Sequence, residues 1–149
     1  MEQNRAKKRM GIALRRYMSG KYPCWKYTSM FGCEAEFLRK FVEHQMDAGM
    51  TWDNFGEVWQ VDHVLPLCSF DQTLQAECQL CWNWINLRPL GLAENKARNA
   101  FVNALEILEH RQTYFTGNEV LDELIERARK LMDEENSKLV DWSTWNNGG

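Results

Sequence analysis

The sequence predicts an α+β chain. Two short strands are joined through a long loop that holds a helix, a further helix follows the second strand, and helices flank this unit on both sides. Three observations carry the expectation. Apolar residues recur at helical spacing in several long stretches. Two short runs, Val58–Val61 and Leu87–Leu90, are apolar and bounded by glycine and proline. The 149 residues are 44% hydrophobic, enough to build a buried core.

The elements follow in order. Residues 5–18 make a basic helix with Met10, Leu14, Tyr17 and Met18 on one side, and Gly20 and Pro23 end it. Glu34–Ala48 is an amphipathic helix whose face is Phe37, Leu38, Phe41, Val42 and Met46, with Gly49 as its stop. Trp52 and Phe55 precede a turn at Gly56, and the first strand, Val58–Val61, follows. Pro66 pins a loop over Leu65–Phe70, and Asp71 caps a helix over Gln72–Cys81. The tract from Trp82 to Leu87 leads into the second strand, and Gly91 turns the chain into a helix over Ala93–Glu109. Asn118 caps a last helix, Glu119–Asn136, whose apolar side is Val120, Leu121, Leu124, Ile125, Ala128 and Leu131; Trp142 to Gly149 read as a frayed end. The expected organisation is a basic helical segment over 1–30, a central domain over 31–110 with its core at about 57–102, and an acidic helical extension over 111–149.

Charge is polarised along the chain. The net charge is −3, yet residues 1–40 carry a balance of +7 and the remainder −10. Binding to an anionic polymer depends on local clusters rather than the total, so Lys7, Lys8, Arg9, Arg15 and Arg16 are candidate phosphate contacts; the plainer reading is a solvated basic helix. The acidic last helix reads as a solvated face, with a homodimer or a phage or host protein partner as the alternative. No apolar run reaches the length of a membrane span, and Met10–Leu14 is too short for a signal peptide, so a cytoplasmic protein with no membrane partner is expected. Five cysteines at irregular spacing read as buried apolar residues. Cys78-x-x-Cys81 stands alone in a helix, and no structural zinc is expected, although Cys24 and Cys33 are the residues that would complete one. His44 and His110 read as surface or capping histidines, and Trp52, Trp59, Trp82 and Trp84 as core.

The chemistry concentrates in Trp59-Gln60-Val61-Asp62-His63-Val64-Leu65-Pro66, with Asn86-Leu87-Arg88-Pro89-Leu90 and Asn95-Lys96 downstream. Asp62 offers a carboxylate oxygen and Asn95 an amide oxygen, donors that suit Mg²⁺ or Mn²⁺ rather than zinc. Such an ion acidifies water only weakly, so a separate base helps. Imidazole, with an ordinary pKa of about 6.5, makes His63 the candidate base. Asn86 is placed to bond across to the loop after His63, and Arg88, Lys96 and Arg98 are candidate phosphate contacts. Neighbouring strand residues face opposite ways, so Asp62 and His63 serve one phosphate only where the chain leaves the strand.

The full set resembles the HNH endonucleases of the ββα-metal fold. Asp62-His63 matches the family's first motif, Asn86 its middle asparagine, and Asn95 its final position in the members that carry Asn instead of His there. The resemblance extends upstream: Phe31-Gly32-Cys33, Phe37-Leu38 and Gly49-Met50-Thr51-Trp52-Asp53-Asn54-Phe55-Gly56 are similar to a segment before the motif in phage- and virus-encoded members. What the resemblance implies is a magnesium- or manganese-dependent DNA endonuclease that docks at the minor groove and leaves 5′-phosphate and 3′-hydroxyl ends. In it His63 is the general base, Asn86 positions the catalytic loop, and Asp62 and Asn95 hold the metal. The competing expectation is a non-catalytic DNA-binding or assembly module on the same scaffold.

Overall fold

A computed structural model describes residues 2–19, 25–93 and 100–148. The chain falls into two compact units, residues 1–95 and 96–149. The first begins with three helices, α1 (Glu2–Met18), α2 (Trp25–Phe31) and α3 (Ala35–Gln45). Strand β1 (Trp59–His63), a 3-10 turn (Leu67–Ser69), α4 (Gln75–Trp82), a second 3-10 turn (Trp84–Asn86) and strand β2 (Leu87–Gly91) follow. The second unit holds α5 (Ala100–Gln112) and α6 (Glu119–Gly148). The architecture is α+β: helices with one two-stranded antiparallel sheet.

The register pairs Trp59 with Gly91, Asp62 with Arg88 and His63 with Leu87. Leu92 N–H donates to Val58 O at 2.9 Å and Val64 N–H to Asn86 O at 2.7 Å, so the bonded pairs are the even-numbered residues. Pro89 therefore falls opposite Val61 in a non-bonded pair, where its missing N–H costs no ladder bond. Trp59 is fully buried against Phe55 and Trp52, at ring separations of 4.7 and 5.3 Å. Gly56, at φ +89, turns the chain into the strand, and its N–H donates to Trp59 O at 2.7 Å. The core of this unit gathers Leu14, Tyr17 and Met18 of α1, Phe31 of α2, Leu38 and Val42 of α3, and Leu65, Ile85 and Leu87 around the sheet.

The second unit is a helical hairpin. The two helices pack on each other, and Leu108 of α5 and Leu121, Leu124 and Ala128 of α6 are fully buried. Asn118 Oδ1 accepts Leu121 N–H at 2.9 Å, the expected cap.

Several boundaries differ from expectation. Helix α2 has no counterpart among the expected elements; its seven residues span only two turns, too few for a periodic signal. Helix α3 stops at Gln45, three residues early, because Met46 turns extended and its N–H closes on Glu43 O. Asp71 is not the cap of α4. It accepts both Thr73 N–H (3.0 Å) and Thr73 Oγ1–H (2.6 Å), an Asx turn that delays the helix to Gln75. Strand β1 runs on through His63, two residues past its expected end. Helix α6 continues to Gly148, where a frayed end was expected. The expected helix start at Ala93 precedes residues 94–99, which lie outside the described residues.

Candidate functional site

Asp62 and His63 are the last two residues of β1 and occupy opposite-facing positions of the ribbon. His63 turns inward. It is 8% exposed, and its ring meets the Trp82 indole edge-on at 4.3 Å. Asp62 lies on the other face, directly across from Arg88. Its Oδ2 sits 3.5 Å from Arg88 Nη2, and the two side chains are 17% and 29% exposed.

Asn86 is fully buried just before β2. Its Oδ1 accepts Leu65 N–H at 2.9 Å, and its Nδ2 donates to Leu65 O at 3.2 Å and Cys81 O at 2.9 Å. Its backbone carbonyl holds Val64 N–H. One amide thus spans both polar groups of Leu65 and ties the two residues after His63 to the end of α4. All three bonds are buried, where leaving a partner unmet is costly.

The two upstream segments buttress this arrangement. Asn83 Oδ1 caps the 3-10 turn by accepting Ile85 N–H at 3.0 Å. A Cβ at Gly32 (φ +71) would meet Asn83 Nδ2 at 2.6 Å, so only glycine lets Asn83 come this close. Trp84 stands edge-on to Phe37 and Phe41 of α3 at 4.8 and 5.0 Å, fixing the turn that ends at Asn86. At the other end of β1, Trp59 Nε1 donates to Thr51 O at 2.6 Å. Asn54 holds that loop through Thr51 N–H (2.9 Å) and Gly49 O (3.0 Å). Trp59 and Asn86 are therefore each locked by one of the two motif segments.

The other expected site residues divide as follows. Asn95, Lys96 and Arg98 lie outside the described residues, as do the side chains of Lys7 and Lys8. Arg9, Arg15 and Arg16 are exposed on α1. Arg15 is engaged within the fold: its guanidinium lies 5.2 Å from the Phe55 ring centroid, and Nη2 donates to Phe55 O at 3.4 Å. Two contacts were not foreseen. The Asp62–Arg88 pair was recoverable from the antiparallel register once both strands were placed. The Trp82–His63 contact carried no sequence signal. Arg39 forms a second covered cation, 4.9 Å from the Trp52 ring, with Glu43 bonded to both its Nε and Trp52 Nε1.

The cysteines are described at four positions. Cys81 is buried and Cys68 exposed; Cys78 Sγ–H donates to Gln72 O at 3.2 Å. Burial pushes the Cys33 thiol up to about 12. Cys24 lies outside the described residues. Among the described residues no three His, Cys, Asp or Glu side chains gather at one point. His44 and His110 are exposed.

In comparisons with known proteins, no family model matches the chain and no solved structure matches it. Two uncharacterized proteins of Acanthamoeba polyphaga mimivirus are similar to it. L426 is 39% identical over 87 residues, 58% of this chain and 38% of that protein. L246 is 32% identical over 111 residues, 74% of this chain and 46% of that protein. The chain therefore spans less than half the length of either relative. No helix among the described residues is long and apolar enough to cross a membrane.

Proposed function

We propose that this chain is a metal-dependent endonuclease of the HNH type, with Asp62 and His63 at the end of β1, Asn86 at the start of β2 and Asn95 beyond it forming a ββα-metal site for a DNA phosphodiester. The observation that carries the reading is the Asn86 amide, which clamps Leu65 and Cys81 directly behind the Asp62-His63 pair. A buried asparagine spanning both polar groups of one loop residue fixes where the loop begins, and with it the His63 ring.

The donor set fits a hard divalent ion. Asp62 presents a carboxylate that is not sealed in the core, and Asn95 adds an amide oxygen; neither is a soft ligand. When bound, such an ion supplies charge stabilisation at the phosphoryl oxygens. His63 takes the proton of the attacking water at a ring nitrogen, and Asn86 keeps that ring in place. The chain leaves the strand only after His63, not at the pair as expected, so Asp62 and His63 face opposite sides of the ribbon and a phosphodiester they share lies across its end. Basic residues of α1, Arg9 and Arg16 in particular, add phosphate contacts without reading sequence.

The second reading, a non-catalytic DNA-binding or assembly module, has one observation in its favour: His63 is nearly buried against Trp82, as a structural histidine would be. Nicking of supercoiled plasmid in Mg²⁺ separates the two. The endonuclease nicks, stops under EDTA and resumes with Mg²⁺ or Mn²⁺. It slows as pH falls through the imidazole range, and His63→Ala loses about 10²–10⁴-fold in rate while plasmid binding is kept. Binding without nicking under every condition establishes the second reading.

A further inference from the structure

The Arg88 guanidinium is only partly used by the fold. It is 29% exposed, and it meets Asp62 through an Nη2 contact at 3.5 Å, the outer limit of a hydrogen bond. Its Nε is shielded from solvent and has no acceptor among the described residues. Guanidinium groups pair best with oxyanions through two parallel N–H donors, and a buried N–H without an acceptor is unfavourable. The resting pose therefore leaves the stronger half of the fork unspent, on the strand position facing Asp62. A move of the head outward towards a second oxyanion breaks no bond except the long one to Asp62.

We propose that Arg88 is the phosphate anchor of this site: one guanidinium serves Asp62 as counter-ion at rest and gives its Nε edge to a phosphodiester oxygen when nucleic acid binds. The inference rests on the endonuclease reading for the identity of the anion, but on the orphaned Nε for the residue. It distinguishes Arg88 from the cations of α1, which lie on a helix surface and carry no unmet buried donor among the described atoms. It also gives a reason for arginine over lysine here, since an ammonium has no second edge to turn.

The test is binding of a fluorescent DNA duplex to the full chain in EDTA, where no strand is cut. Arg88→Gln binds about ten- to a hundredfold more weakly, and its slope of log affinity against log salt falls by about one. Arg88→Lys keeps the charge and recovers the slope but not the full affinity. In the wild type, the Arg88 Nε–H nitrogen resonance, assigned by its absence from the Arg88→Lys spectrum, shifts on adding duplex. This last measurement needs only the native protein and the charge-conserving Arg88→Lys chain, so it stands even if the Arg88→Gln chain fails to fold. Unchanged affinity and slope with an unmoved Nε resonance overturn the proposal and leave Arg88 as the partner of Asp62 alone. A wild type that binds no duplex overturns both this proposal and the endonuclease reading. A shifted Nε resonance in a protein that never nicks plasmid upholds the anchor and overturns hydrolysis.

Discussion

The two sides of the ribbon end are bonded in opposite ways. Behind His63 the amide of Asn86 has both its oxygen and its nitrogen spent, all three bonds are buried, and Leu65, Ile85 and Leu87 around it are fully buried. In front, Asp62 meets Arg88 at 3.5 Å between partly exposed side chains, and the Arg88 Nε–H goes unmet among the described residues. A buried amide with all three of its bonds met defines one conformation, whereas a partly exposed pair of charges at the limit of hydrogen-bond length leaves more than one arrangement of similar energy. The first kind suits a group whose position must be set before anything binds. The second suits groups whose partners arrive with the ligand. Under the endonuclease reading, the base is preorganised and the anion-handling side is completed by substrate and ion.

The largest effect that can break this comparison is at Asn86. Asn86→Ala removes three buried hydrogen bonds and strands Leu65 N–H, Leu65 O and Cys81 O. Each net bond is small, but unmet buried groups keep their desolvation cost, so a loss of about 2–4 kcal/mol is expected. Urea unfolding reads it as a lowered midpoint at an unchanged m-value. A loss within a few tenths of a kcal/mol would show that the clamp holds nothing the fold does not already fix.

Much of this contrast was legible in the sequence. Asn86 stands just ahead of the second strand, where its amide is expected to bond across to the loop after His63, and its bonds to Leu65 do so. The apolar sides of α1, α3 and α6 followed from spacing alone: Leu14, Tyr17, Leu38, Val42, Leu121, Leu124, Ile125 and Ala128 are all buried. What stayed hidden depends on local chemistry that spacing does not encode. Thr73 draws Asp71 into a turn and moves the start of α4. Trp82, nineteen positions further along the chain, reaches the His63 ring across a loop and a helix. Phe37, expected on the buried face of α3, is 44% exposed and packs on Trp84 at the helix's edge. Asn95 belongs to the motif by spacing, but it lies outside the described residues and its place rests on the resemblance alone.

Thiol labelling sharpens the comparison with less disturbance. Cys68 is exposed, while Cys81, whose carbonyl is held by Asn86, is fully buried. With a maleimide at pH 8 and peptide mapping, Cys68 reacts first and Cys81 last. Cys33 also lags, because burial raises its pKa from 9.0 to about 12 and the thiolate is the reactive form. The sign of the linkage follows: a thiol kept neutral by the fold stabilises it fully below about pH 9, and that contribution is lost as pH rises towards 12. Asn86→Ala speeds labelling of Cys81 by loosening the end of α4 and leaves Cys68 unchanged. If Cys81 labels as fast in the native protein as Cys68 does, the clamped side is not closed.

The smallest effect is expected in front of the ribbon. Asp62→Asn keeps size and removes the charge that faces Arg88. The pair is partly exposed and its contact is long, and such ion pairs contribute little, so stability changes by no more than about 1 kcal/mol. Nicking, by contrast, falls to background, because the only described carboxylate oxygen of the proposed metal site is gone. The two measurements on one variant separate fold from function: near-native urea unfolding with lost nicking is the expected pair. A destabilisation as large as that of Asn86→Ala would mean that the Asp62–Arg88 contact is structural. The two sides of the ribbon would then be held alike, and the loosely bonded side would no longer be reserved for what binds.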